Sequence, residues 1–132
     1  MECDWMPDAD AGSMLTIARR DLKVAQALQD ASIGEASWGF QVQQVVEKAL
    51  KAWLYQLGDF PPFTHDLVLL FKRLLRAGAD VESYRDLARF TDFAVQIRYD
   101  ADFEPMDLDR SHWLQRAATL VEPVEQIVGR GA

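Results

Sequence analysis

Between residues 44 and 51 the chain sets an amide, a carboxylate and two ammonium groups at helical spacing: Gln44, Glu47, Lys48 and Lys51. At about 100° per residue these four gather within roughly 100° of one another on a helix surface. The chemistry they could do is anion binding. Lys48 and Lys51 are point charges suited to phosphate. Gln44 offers amide hydrogen bonds. Glu47 precedes Lys51 by one helical turn, the favourable acid-first order, and would orient a lysine. Downstream, His65 lies between Thr64 and Asp66. With Thr64 as a cap, the free N–H groups of a helix start and an imidazole would form an anion-binding corner. Arg98 would clamp phosphate through its planar fork, and Tyr99 would stack on a base. Each set also has a plain structural explanation: a solvated face with an ion pair, a capped helix start, and an Arg98 paired in the core with Asp21 or Glu47.

Other chemistries find little footing. Two histidines, His65 and His112, and one cysteine, Cys3, make neither a zinc site nor a disulfide, so no metal is expected. The acidic stretch 100–107 lacks the glycine and spacing of a calcium loop. No glycine-rich phosphate loop and no nucleophile motif occurs, so no catalytic residue is assigned. His112 and Trp113 read as structural.

The elements that must position these residues are helices. The chain has 132 residues, enough for one domain, and is 49% hydrophobic with four Trp and seven Phe, enough for a real core. Its net charge of −7 argues against nonspecific nucleic-acid binding, which needs a basic surface. A single cysteine points to the cytoplasm. No apolar run reaches the ~18–20 residues of a membrane span, and the acidic start lacks the order of a signal peptide.

Residues 1–12 read as a flexible N-terminal segment and 13–128 as a helical domain. Ser13 would cap a first helix over 14–30, with Met14, Ile17, Ala18, Leu22, Ala25 and Leu28 inward. Gly34 marks a turn. A second helix runs over 35–57, burying Val42, Val46, Ala49, Leu50, Trp53 and Leu57, and ends at Gly58. Asp59-Phe60-Pro61-Pro62 forces an extended connection. A third helix is expected over 65–77, and a fourth over 81–99 with Asp80 as its cap. The fourth carries two apolar stripes: Tyr84, Leu87, Ala88, Ala94 and Val95 in one, and Phe90, Phe93 and Ile97 in the other. Together they cover nearly 200° at helical spacing, so this helix is either central or meets another subunit. A last helix, over 108–128, contains Pro123, expected to kink it. No strand pattern or internal repeat appears. The fold class is therefore all-α, an up-and-down bundle of four to five helices.

The run Gln44-x-x-Glu47-Lys48-x-x-Lys51-Ala52, then Pro62-x-Thr64-His65-Asp66-Leu67, then Arg98-Tyr99, resembles the HEPN domain, the higher eukaryotes and prokaryotes nucleotide-binding domain. Ala18-x-x-Asp21-Leu22-x-x-Ala25 is similar to its first helix. The resemblance covers about residues 13–128. It implies a bundle of four or five helices that dimerises, often encoded beside or fused to a minimal nucleotidyltransferase in a toxin–antitoxin-like pair. It also implies a nucleotide ligand. Some members are ribonucleases that share an Arg, four to six residues, then a His. This chain departs from that: Arg110 is two positions before His112 and Arg98 is fourteen before it.

The resulting expectation is a noncatalytic, homodimeric module whose Gln44, Glu47, Lys48, Lys51, His65, Arg98 and Tyr99 bind a nucleotide or phosphate ligand, or which docks a nucleotidyltransferase. The alternatives are a divergent ribonuclease using His65 or His112, and a structural regulatory dimer joined through the fourth helix.

Overall fold

The computed structural model describes residues 7–99 and 104–131, with side chains from 10 to 95 and from 104 to 129. Among these, five α-helices and one 3-10 segment follow in order: α1 Pro7–Ala27, α2 Glu35–Gln56, α3 Leu67–Arg76, the 3-10 segment Glu82–Phe90, α4 Thr91–Tyr99 and α5 Arg110–Gly131. No strand occurs among the described residues. No helix is long and apolar enough to cross a membrane.

α1 begins earlier than expected. Pro7 occupies its first turn, where a missing N–H costs nothing, so Ser13 lies inside the helix rather than capping it. Residues 7–12 therefore belong to the bundle, and residues 1–6 lie outside the described residues. Ala11, Leu15, Ala18 and Ala25 form its buried stripe, small enough to bring α1 close against α2. The 28–34 turn folds α2 back along α1. Arg110, at the start of α5, holds that turn by donating to the carbonyls of Leu28, Asp30 and Ile33 at 2.8, 2.8 and 2.7 Å. Glu35 answers from α2, its carboxylate accepting from the N–H groups of Met106 (2.6 Å) and Leu108 (2.8 Å).

α2 is the axis of the bundle, touching α1, α3, α4 and α5. Trp38, Val42, Val45, Val46, Ala49, Leu50, Ala52, Trp53 and Leu54 are buried along it, more than one stripe can hold. Leu57, expected inside, is exposed because the helix ends at Gln56. There Gly58, at φ 81, donates to Tyr55 O while Asp59 N donates to Leu54 O, both at 3.0 Å. That paired pattern is the Schellman close, and it needs the left-handed residue that glycine supplies.

The fourth helix departs most from its expected form. Its first half winds as a 3-10 helix, entered from Val81 rather than capped by Asp80. With three residues per turn, positions three apart eclipse, so Tyr84, Leu87 and Phe90 fall in one line instead of two stripes. Phe90 and Phe93 are completely buried within the chain. They stack at 5.5 Å, and Phe90 meets Trp38 edge-on at 5.6 Å and Trp113 at 5.5 Å. This corrects the idea that Phe90 and Phe93 join two subunits: the bundle itself consumes them. Val95, assigned inward, is instead exposed. Pro123 sits within a continuous α5, whose Trp113, Leu114, Ala117, Leu120, Val121 and Val124 pack inward.

Gly39 makes the close approach of α2 to α4 feasible: a Cβ there would overlap the Phe93 ring. Gly39→Ala should therefore destabilise the protein by about 1–3 kcal/mol through overpacking, despite alanine's better helix propensity. Urea denaturation checks this; an unchanged or higher midpoint would remove Gly39 as a packing constraint.

Candidate functional site

Glu47 is the one residue of the expected polar face that never meets solvent: its side chain is 0% exposed. It lies mid-helix in α2, buried between the apolar residues Val46 and Ala49. A carboxylate in such surroundings must find donors, since an uncompensated buried charge is costly. Four converge on it. Lys48 and Lys51 place their Nζ atoms 2.8 and 3.0 Å from Oε2. Gln43 Nε2 donates to Oε1 at 3.0 Å, and His65 Nδ1 lies 2.8 Å from the same oxygen. Burial pushes the Glu47 carboxyl upward, but the bonds from Lys48, Gln43 and His65 outweigh it and hold its pKa at about 2. Ionised, the carboxylate only accepts, so Nδ1 of His65 carries the proton and Nε2 is turned away.

The 57–66 connection brings His65 into place. Arg73 of α3 grips Asp59 with a fork, Nη2 to Oδ1 at 2.6 Å and Nε to Oδ2 at 3.3 Å, and also donates to Phe60 O. Pro61 is buried. Gln43 Nε2 donates a second bond, to the His65 carbonyl at 3.0 Å, tying the connection to α2. Gln44 completes the chain of contacts, donating to Gln43 Oε1 at 2.7 Å, and so fixes which way the Gln43 amide faces.

The helix-start corner takes a different form from the expected one. α3 begins at Leu67 and its cap is Asp66, not Thr64. Asp66 Oδ1 accepts from Val68 N at 3.0 Å, and Thr91 Oγ1 accepts from Leu67 N at 3.2 Å. Thr64 Oγ1 accepts from Asp66 N at 3.0 Å. The Leu67 and Val68 N–H groups are thus occupied, and His65 lies in the chain just before α3. Asp wins the cap because its carboxylate also complements the helix dipole.

A cavity of about 290 Å³ opens beside the cluster. Glu47, Lys48, Lys51 and His65 line it together with Tyr55 of α2 and Phe60, Pro62 and Phe63 of the connection. Phe60 meets Tyr55 edge-on at 5.5 Å, while Phe63 is fully exposed at the rim. Asp21 of α1 approaches from behind: burial raises its carboxyl, the nearby Lys48 and Arg20 lower it, and Glu47 raises it again. Thus Glu47, Lys48, Lys51 and His65 come together as expected. Gln44 supports them from outside the cavity lining. The side chains of Arg98 and Tyr99 lie outside the described residues. The two histidines do not share a site. His112 is exposed at the start of α5, its ring 5.0 Å from that of Trp113, beside the turn that opens α2. His65 lies against Glu47, about 18 Å further along α2 at 1.5 Å per residue.

Sequence reasoning missed Gln43, Asp21 as a neighbour of Lys48, and the Phe60–Phe63 rim. Gln43 could have been found: it stands four residues before Glu47, the spacing at which an amide reaches a carboxylate. The rim had no periodic signal, since extended chain gives none.

A family model for the HEPN domain matches residues 11–127. The chain belongs to the HEPN domain family. No curated protein and no solved structure is matched. The Glu47 cluster thus lies inside the HEPN match, on the helix that forms the bundle's axis.

Glu47→Ala would strand two lysines and the Gln43 amide, and should cost about 3 kcal/mol, the low end for breaking a buried ion pair because the lysines can still reach water. A depressed carboxyl binds its proton less readily folded than unfolded. The stabilisation from Glu47 is therefore complete above its ordinary pKa of 4.5 and is lost as pH falls toward about 2. Denaturation midpoints across that range should fall in the wild type and fall less in Glu47→Gln. Parallel pH profiles for the two proteins would contradict the assignment.

Proposed function

We propose that this HEPN domain is a noncatalytic module that binds a nucleotide or similar phosphate-bearing ligand in the Glu47 cavity. It does so as a cytoplasmic homodimer working with a minimal nucleotidyltransferase in a toxin–antitoxin-like pair. One observation carries the ligand half. Lys48 and Lys51 each commit one N–H to Glu47, and no further hydrogen bond joins either to the described residues. An ammonium has three donors, so each lysine keeps two for a guest at the cavity wall. The aromatic residues of the lining then offer ring surface to a base. The partner half rests on family membership, and the exposed Phe63 and Phe60 beside the cavity are suited to covering by another protein.

Isothermal titration against a panel of nucleotides tests the ligand half. Binding is expected, and Lys48→Ala or Lys51→Ala should each weaken it by about tenfold or more, the loss of one charge-assisted hydrogen bond. No heat from any phosphate-bearing ligand, in wild type and variants alike, would refute it.

The Glu47–His65 contact favours a second reading, a divergent ribonuclease. A carboxylate on Nδ1 fixes the ring and leaves Nε2 as a base facing out, the arrangement used for proton transfer. Incubation with structured RNA separates the readings. The binding module leaves RNA intact, whereas cleavage that disappears in His65→Ala would establish the enzyme.

A further inference from the structure

The charges at the cavity mouth limit what the ligand can be. Lys48 and Lys51 contribute two positive charges to the lining and Glu47 one negative, while Asp21, outside the lining, has Arg20 as well as Lys48 beside it, so the lining carries a single net positive charge before the His65 imidazole is counted. The surrounding protein adds a net charge of −7. Attraction for an anion at this wall is therefore short-ranged. It comes from the spare lysine N–H groups at contact distance and not from a broad positive field. One phosphate can use those donors. A phosphate carries roughly −1.5 to −2 charges near neutral pH, and for the charge of each further phosphate the described lining holds no cation beyond Lys48, Lys51 and His65.

Tyr55, Phe60 and Phe63 give the same cavity an aromatic part. Tyr55 and Phe60 already pack edge-to-face. Phe63 is fully exposed, and its whole face is open to a planar ring. Phe63 and the two lysines line one cavity of about 290 Å³, so one small molecule can reach both.

We propose that this cavity selects a ligand with one phosphate and one planar heterocycle, a nucleoside monophosphate, over the corresponding diphosphate and triphosphate. The inference rests on the phosphate-ligand reading given above and narrows it.

Titration of the full chain in magnesium-free buffer with adenosine, AMP, ADP, ATP, ribose 5-phosphate and inorganic phosphate tests it, with GMP as a second base. The expected result is tightest binding by a nucleoside monophosphate, at least tenfold tighter than by ATP. Adenosine and ribose 5-phosphate should each be weaker than AMP. Phe63→Ala, whose ring supports nothing in the fold, should weaken AMP severalfold and leave inorganic phosphate unchanged. ATP binding as tightly as AMP, or more tightly, overturns the selectivity and leaves the phosphate-ligand reading standing. Ribose 5-phosphate matching AMP, with Phe63→Ala silent, overturns the ring contact. No binding by any phosphorylated compound overturns both this inference and the reading beneath it.

Discussion

A carboxylate buried in the middle of the central helix governs the rest of this molecule. Glu47 sits where an apolar side chain would suffice for packing, and its charge stays tolerable only while all its lone pairs are occupied. Two of its four donors come from its own C-terminal turn, as Lys48 and Lys51, and one from the preceding turn, as Gln43. The fourth, His65, must come from elsewhere in the chain. The requirement reaches outward from there. The Gly58 close aims the chain off α2, the Arg73–Asp59 fork fastens it to α3, and Gln43 holds the His65 carbonyl. Fold and site are not separable here: the contacts that satisfy the buried charge are the ones that build the cavity wall.

This coupling explains how an acidic protein holds two ammonium groups at one cavity. Salt bridges on exposed faces contribute little, and pairs such as Arg85–Glu82 and Arg19–Glu125 are of that kind. The lysines of the cluster differ because their anchor is buried and deprotonated down to about pH 2. They are held rather than merely attracted, so the lysine heads are already ordered by folding.

Much of this was legible in the sequence, and the failures are instructive. Helical periodicity located α1, α2, α3 and α5 because each buries residues at helical spacing. The polar quartet on α2 was readable for the same reason, and so was the glycine at its end. Glu47's burial was not. A face that looks polar on a helical wheel becomes interior when a distant connection folds over it, and wheel geometry says nothing of distant chain. The fourth helix misled in a related way. An angular count of 100° per residue holds only for α-helix, and over Glu82–Phe90 the true winding lines up Leu87 and Phe90 and leads into Phe93. The angular count left that stripe open between a central helix and a second subunit, and its Phe90 and Phe93 lie in the core. The displaced cap, Asp66 for Thr64, leaves His65 off the helix, where its ring meets Glu47.

A purely structural account of the cluster has one difficulty. Burial of Glu47 could be satisfied by neutral donors: an amide or a hydroxyl can fill the second place on Oε2 without bringing in charge. This chain uses two ammonium groups on that oxygen, so the carboxylate is overcompensated by one positive charge. Asp21 offsets the excess electrostatically from α1, but neither lysine donates a hydrogen bond to it among the described residues. The surplus is therefore of donors as much as of charge, and both lysines line a cavity that aromatic rings line too. Stability alone does not ask for that combination. A protein that needed only a quiet Glu47 would turn one lysine outward to solvent, where its ammonium hydrates freely. Keeping both heads at the cavity wall costs side-chain entropy with little gain in stability, a cost that a bound anion would offset.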